Sequence, residues 1–155
     1  MKVLVLTVSD RAAGGIYRDR SGPAIQEVLT ERIGGIEIER EIIPDDRDLL
    51  VKTFGENRER DVIITTGGTG LGPRDFTPEA TAEFCEKMVP GIAEYLRARS
   101  FEQTPHAALS RAAAGISGDL LIINFPGSVK GAVFCAEVIS ELLEHALEMI
   151  RGAGH

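Results

Sequence analysis

Hydrophobic spacing divides the chain into alternating strand-like and helix-like segments. Residues 3–8 are almost wholly apolar, the pattern of a strand covered on both faces, and Ser9-Asp10-Arg11 closes the run. Beyond Gly14-Gly15, Ile25, Val28, Leu29 and Ile33 recur at helical spacing, with Ser21 as the expected cap and Gly34-Gly35 as the stop. Ile36, Ile38, Arg40 and Ile42 alternate with Glu37, Glu39 and Glu41, which predicts a half-buried strand near a sheet edge. Pro44-Asp45-Asp46 ends it, and Asp46 can cap a helix running to about Arg58. Residues 62–66 predict a third strand. Thr77-Pro78-Glu79 has the form of a helix start, with Thr as cap and Ala80, Phe84 and Met88 as the buried stripe. Pro90-Gly91 breaks that helix, residues 92–99 form a short helical piece, and residues 120–124 a fourth strand. From Val129 to Ile150 apolar residues recur every three or four positions, predicting one long final helix.

The order β-α-β-α-β-α-α-β-α indicates an α/β layer fold with a mainly parallel sheet. A length of 155 residues predicts one domain spanning 1–155, long enough to bury a core without disulfide or zinc. Cys85 and Cys135 lie in apolar-periodic segments without metal-like spacing and read as small buried hydrophobes of a reducing compartment. The chain enters a strand pattern directly, with no cleavable leader pattern and no apolar run of transmembrane length, so a cytoplasmic protein is expected. A net charge of −7 argues against a general nucleic-acid binder, though not against a local pocket for a phosphorylated small molecule.

The candidate chemistry follows the third strand. Residues 67–73 hold four glycines and a proline, and Arg74-Asp75 follows. Backbone free of side chains can pass close to a ligand and aim N–H groups at anionic oxygens; a tight strand-to-helix turn is the plainer reading. The loop is not a P-loop, because Pro73-Arg74 stands where Lys-Ser/Thr is needed. It is not the dinucleotide fingerprint, because Pro73 occupies the third glycine position. Asp75 is either a carboxylate complementing a helix dipole or a ligand for Mg²⁺ beside a phosphate, with Asp45 at a second strand end as its companion. Arg111 is either a surface charge or a phosphate fork. Lys130, at a helix start, suits a nearby anion. His106 is a minor ligand candidate, His145 a helix-face residue and His155 a terminal one. No G-x-S-x-G elbow supports a serine nucleophile. In a parallel sheet, Ser9-Asp10, Pro44-Asp45-Asp46, the 67–75 loop and Asn124-Phe125-Pro126-Gly127-Ser128 would converge on one edge, where such sheets bind ligands.

The run 65–81, Thr-Thr-Gly-Gly-Thr-Gly…Pro-Arg-Asp-x-Thr-Pro-Glu-Ala-Thr, resembles the molybdopterin adenylyltransferase family of molybdenum-cofactor biosynthesis. The likeness extends to Val8-Ser9-Asp10-Arg11, Asp19-x-Ser21-Gly22-Pro23, Ile43-Pro44-Asp45, Leu109-Ser110-Arg111-Ala112 and Ile123-Asn124-Phe125-Pro126-Gly127, in order along the chain. The resemblance implies a three-layer α/β/α fold with a mainly parallel, mixed sheet, and a homotrimer. It also implies transfer of AMP from ATP to molybdopterin with Mg²⁺, releasing pyrophosphate, and a downstream molybdate-insertion partner. Asp45 and Asp75 match the two aspartates that the family requires for catalysis and metal. Ser9, Asp10, Asp19, Ser21, Gly22, Gly67, Gly68, Thr69, Gly70, Arg74, Ser110, Arg111, Pro126, Gly127 and Ser128 match its substrate-binding segments. Phe125-Pro126-Gly127-Ser128 is similar to a variant in a sister branch that binds pterin without adenylylating it. A nucleotide pyrophosphatase of the same fold is a further alternative.

Overall fold

The computed structural model describes residues 1–152; the expectation for His155 lies outside them. Its sheet has six strands: β1 (Lys2–Val8), β2 (Glu37–Ile43), β3 (Val62–Thr66), β4 (Lys87–Met88), β5 (Ala114–Ser117) and β6 (Leu120–Phe125). Their order is β2-β1-β3-β6-β5-β4. The first four in that order pair in parallel, and β5 and β4 add an antiparallel edge. Among the described residues seven α-helices flank it: α1 (Asp10–Ala13), α2 (Ser21–Arg32), α3 (Arg47–Glu56), α4 (Thr77–Phe84), α5 (Pro90–Ser100), α6 (Val129–Ser140) and α7 (Leu143–Ile150).

Side chains alternate across a strand, so each apolar strand feeds two cores. Val3, Val5, Val62, Ile64, Leu121 and Ile123 pack with Ile25 and Leu29 of α2 and with Ala132, Ala136 and Ile139 of α6. Leu4, Leu6, Ile63 and Ile122 pack on the other face with Leu50 and Phe54 of α3 and Ala80 of α4. Two cores back to back on one sheet give the three-layer α/β/α arrangement. Strand β2 sits at the sheet edge, as its charges indicate, but Ile42 is exposed there rather than half-buried.

Several elements depart from the sequence expectation. Ser21 does not cap α2. It is the first residue of that helix, and Asp19 takes the capping role by accepting from the Gly22 N–H (3.1 Å) and the Ser21 hydroxyl (3.2 Å). Thr77 likewise lies inside α4, and its hydroxyl donates to the Gly67 carbonyl at 2.9 Å. The Met88 side chain is not in a helical stripe: α4 ends at Phe84, and Met88 is an exposed residue of β4. Pro90 opens α5 instead of merely ending its predecessor. The final helical pattern is two helices, α6 ending at Ser140 and α7 starting at Leu143, with the apolar spacing running through the break. Asp46 does cap α3, accepting from the Leu49 N–H at 2.8 Å.

Candidate functional site

Because β1, β2, β3 and β6 run parallel, the segments after them meet at one edge of the sheet. The loop after β3 is shaped by its first two glycines. Gly67 has φ +107° and Gly68 φ +64°, conformations that an L side chain rarely adopts. Gly67 passes against the Val8 carbonyl at the end of β1, and Gly68 against the Thr77 hydroxyl, so a methyl at either position would collide.

The polarity of this loop is sorted. The Gly68 carbonyl accepts from the Thr77 N–H (3.1 Å) and the Thr69 carbonyl from the Arg111 N–H (2.9 Å). The Gly70 carbonyl accepts from Arg111 Nε (2.7 Å). Among the described residues, the N–H groups of Gly68, Thr69 and Gly70 donate to no protein acceptor. Three successive donors are therefore free while the neighbouring acceptors are taken. That is the electrostatic form of an anion-binding nest.

Beneath it lies a buried polar network. Asn124 Nδ2 donates to the hydroxyls of Thr65 (3.0 Å) and Thr81 (2.9 Å), and its Oδ1 accepts from the Ala113 N–H (3.1 Å). Thr81 in turn donates to the Thr77 carbonyl (2.9 Å), and Thr66 to the Pro126 carbonyl (2.8 Å). Buried hydroxyls and amides stay inside only when paired, and these are.

Carboxylates border the loop. An Asp75 oxygen accepts from the Gly72 N–H at 2.7 Å and stands 3.0 Å from where a Gly70 Cβ would be. One Asp45 oxygen stands 3.4 Å from the corresponding point on Gly68. Asp45 and Asp10 exchange backbone-to-carboxylate hydrogen bonds, and Arg74 pairs with the Asp10 carboxylate (Nε–Oδ2 2.7 Å) while donating to the Asp45 carbonyl (3.0 Å). Burial pushes the Asp45 carboxyl above its ordinary pKa, and the carboxylates of Asp10 and Asp75 add to the push. Among the described residues no group of three or more His, Cys, Asp or Glu forms a metal cage.

Two adjoining cavities open on this edge. One, of about 530 Å³, is lined by Gly67, Gly68, Thr69, Gly70, Asp75, Ser110, Pro126, Gly127 and Ser128, all named from the sequence, together with His106 and Leu109. The other, of about 510 Å³, runs between α5 and α6 past Leu96, Gln103, Lys130 and Phe134, and shares His106, Ser110, Pro126 and Ser128 with the first. His106 sits in a short 3₁₀ turn, Pro105–Leu109, and is placed more centrally than its sequence context suggested.

Other expected site residues are engaged elsewhere. Ser9 caps α1 by accepting from the Ala12 N–H (3.3 Å). Asp19, Ser21 and Gly22 bond to one another and, through Asp19, to the Thr7 hydroxyl (2.9 Å); none lines either cavity. Arg111 is neither a free surface charge nor a free fork, because its guanidinium is bonded to Glu79 and to the carbonyls of Gly70 and Asp75. His145 is an exposed helix-face residue near Glu148.

A mainly parallel sheet covered on both faces, with free N–H groups and carboxylates at its strand ends, defines an α/β protein whose candidate site lies at one edge of the sheet. Over residues 4–145 the chain matches the family described as the probable molybdopterin binding domain, and it belongs to that family. It is 44% identical over 152 residues to a protein of Helicobacter pylori strain J99 named molybdopterin adenylyltransferase, covering 96% of this chain and 86% of that one. It is 41% identical to the molybdenum cofactor synthesis protein cinnamon of Drosophila melanogaster, over 94% of this chain and 25% of that longer protein. The crystal structure of the molybdopterin biosynthesis enzyme MoaB from Thermus thermophilus superposes with a TM-score of 0.88 at 44% identity, covering 97% of this chain and 96% of that one.

Proposed function

We propose that this protein is a molybdopterin adenylyltransferase, moving AMP from ATP to the terminal phosphate of molybdopterin. The observation that carries this reading is the sorted loop: three free N–H groups at Gly68, Thr69 and Gly70, flanked by the carboxylates of Asp45 and Asp75. A phosphate-monoester oxygen attacks the α-phosphorus of ATP, a new P–O bond forms, and the bond to the pyrophosphate oxygen breaks. Such a transfer needs alignment and charge neutralisation rather than a covalent nucleophile. The free N–H groups hold phosphate oxygens in place, and Thr77 and Arg111 keep the loop carbonyls occupied. The adjoining apolar cavity is large enough for a flat heterocycle while its phosphate lies in the cradle.

Carboxylates beside a triphosphate repel it unless a cation intervenes. Asp45 and Asp75 offer hard oxygen donors from two strand ends, which fits Mg²⁺, an ion commonly held by one or two carboxylates plus substrate phosphates. When bound there, Mg²⁺ would neutralise the phosphate charge that these carboxylates otherwise oppose.

The same reading makes the protein a cytoplasmic homotrimer that passes its product to a molybdate-insertion enzyme. No helix among the described residues is long and apolar enough to cross a membrane, and both cysteines are free. The test is incubation with ATP, Mg²⁺ and molybdopterin, with mass detection of the adenylylated product. Pterin binding without that product would replace the enzyme reading with that of a pterin-binding protein. Elution at the 16.7 kDa monomer mass would remove the trimer.

A further inference from the structure

We infer that Glu79 and Arg111 act together as positioning residues, setting the shape of the 67–75 loop for AMP transfer without touching substrate; the inference rests on the adenylyltransferase reading above. Neither residue lines either cavity. Arg111 nevertheless ties down three points of the loop. Its backbone N–H donates to the Thr69 carbonyl (2.9 Å), its Nε to the Gly70 carbonyl (2.7 Å) and its Nη2 to the Asp75 carbonyl (2.6 Å). The Thr69 and Gly70 carbonyls alternate along the chain with the donors that the cradle needs. A carbonyl oxygen released toward a phosphate would repel it, and fixing the Asp75 carbonyl fixes the backbone that carries the Asp75 carboxylate.

Glu79 completes the device. Its carboxylate pairs with Arg111 Nη1 and also accepts from Nη2 (3.4 Å). The Arg111 hydrogen bond holds the Glu79 carboxyl below its ordinary pKa, so it is ionised at neutral pH. An arginine fork beside an anionic ligand would otherwise turn to the phosphate, where it binds well. Glu79, two residues into α4 and 32 residues away in sequence, saturates the fork and keeps it on the loop carbonyls. The pair thereby converts a residue type suited to phosphate binding into a backbone brace.

Glu79→Gln and Arg111→Lys, separately and together, are assayed with ATP, Mg²⁺ and molybdopterin, and amide exchange is followed at Asp75, Thr77 and Arg111. Misplacement by about an ångström can cost a hundredfold in rate. The expected result is a kcat lowered about tenfold in Glu79→Gln and about a hundredfold in Arg111→Lys, with KM for both substrates within about twofold. The double variant should be no slower than Arg111→Lys alone, since the two residues act as one unit. The three amides should exchange faster in every variant. A KM raised about tenfold at unchanged kcat would show that Arg111 contacts substrate and overturn the inference. Wild-type kcat and exchange in Glu79→Gln would overturn it as well. If the unaltered protein makes no adenylylated product, the enzyme reading fails, and exchange alone then decides: unchanged amides overturn the brace.

Discussion

Asp45 and Asp10 hold each other by reciprocal hydrogen bonds: the Asp45 carboxylate accepts from the Asp10 N–H at 2.9 Å, and the Asp10 carboxylate accepts from the Asp45 N–H at 3.1 Å. The ends of β2 and β1 are thus locked at the point where two like charges approach. Burial and the neighbouring carboxylates make the ionised Asp45 costly in the native state. A carboxyl whose native pKa is raised contributes stability at low pH and loses it as pH rises through that value, so at neutral pH the charge is a net cost. Asp45→Asn keeps an acceptor for the Asp10 N–H and removes the charge. We expect AMP transfer to fall by at least about a hundredfold while the melting temperature at pH 7.5 does not drop. A lower melting temperature would mean that the carboxylate is a structural ion rather than a strained one.

Asp75→Asn separates binding from chemistry. Its amide oxygen can still accept from the Gly72 N–H, which now bonds to the carboxylate at 2.7 Å, so the loop should persist. Loss of the charge leaves the proposed Mg²⁺ site with a neutral amide oxygen in place of an anionic one. Turnover should fall by about two orders of magnitude or more, with molybdopterin affinity by equilibrium titration kept within a few fold. Normal turnover in this variant would remove Asp75 from the proposed chemistry.

Gly68→Ala tests the loop conformation, and Gly118 supplies the control. Both glycines have positive φ, +64° and +58°, and an alanine at either should cost about 1–2 kcal/mol for the left-handed backbone. Around Gly118 a methyl meets open space, whereas at Gly68 it runs into the Thr77 hydroxyl that holds the Gly67 carbonyl. Urea denaturation should show Gly118→Ala losing only the backbone penalty and Gly68→Ala losing more. AMP transfer should fail in Gly68→Ala alone. Equal stability losses would place the strain in the backbone and not at the Thr77 contact.

The sequence made the parallel half of the molecule readable and the antiparallel half nearly invisible. Strands β1, β3 and β6 carry long apolar runs, and the glycine loop with Asp75 follows β3 directly, so four strand ends could be assigned to one edge. Strand β5 is Ala114-Gly115-Ile116-Ser117 and β4 is two residues long, too short and too small-residued for a period-two signal. Gly115 is small because Cys85 and the Lys87 carbonyl press against it, a contact that no local pattern reveals. The turn between α6 and α7 was hidden because Ile139, Leu143 and Leu147 keep helical spacing across it. In the sequence Glu79 reads only as part of a helix start. Its bond to Arg111 joins positions 32 apart, and only the fold brings them together.

Both cysteines should resist alkylation at ordinary pH. Burial pushes the thiols of Cys85 and Cys135 up to about 11. Thiolate is the reactive form, so at pH 8 iodoacetamide should label the native protein on the order of a hundredfold more slowly than the urea-unfolded chain, whose thiols titrate near 8.5. Between those two pKa values the native state retains protons that the unfolded state releases, so stability should decline as pH rises through that window. Fast labelling of Cys85, the less buried of the two, with Cys135 unreacted would show that the edge beside β4 and β5 opens locally.

Asn124 is the keystone of the floor under the nest, and its replacement should reveal how much the cradle depends on buried polar bonds. Its amide group joins β6 to Thr65 on β3, to Thr81 on α4 and to the Ala113 N–H before β5, with the side chain 1% exposed. Asn124→Ala leaves the Ala113 N–H without its acceptor and the two threonine hydroxyls without their donor, and opens a cavity too. An unsatisfied buried group costs about 1–3 kcal/mol, so a loss of about 3 kcal/mol is expected, read as a lower denaturation midpoint at unchanged slope. Asn124→Asp should be worse at neutral pH, since a buried charge replaces the amide that donates to the Thr65 and Thr81 hydroxyls. Restoring pH toward 4 should recover part of that loss, because a protonated carboxyl can again donate one hydrogen bond. If Asn124→Asp is as stable as the parent at pH 8, the network is wetter than the buried threonines imply, and the loop above it is held by its own bonds and those to Arg111 and Thr77.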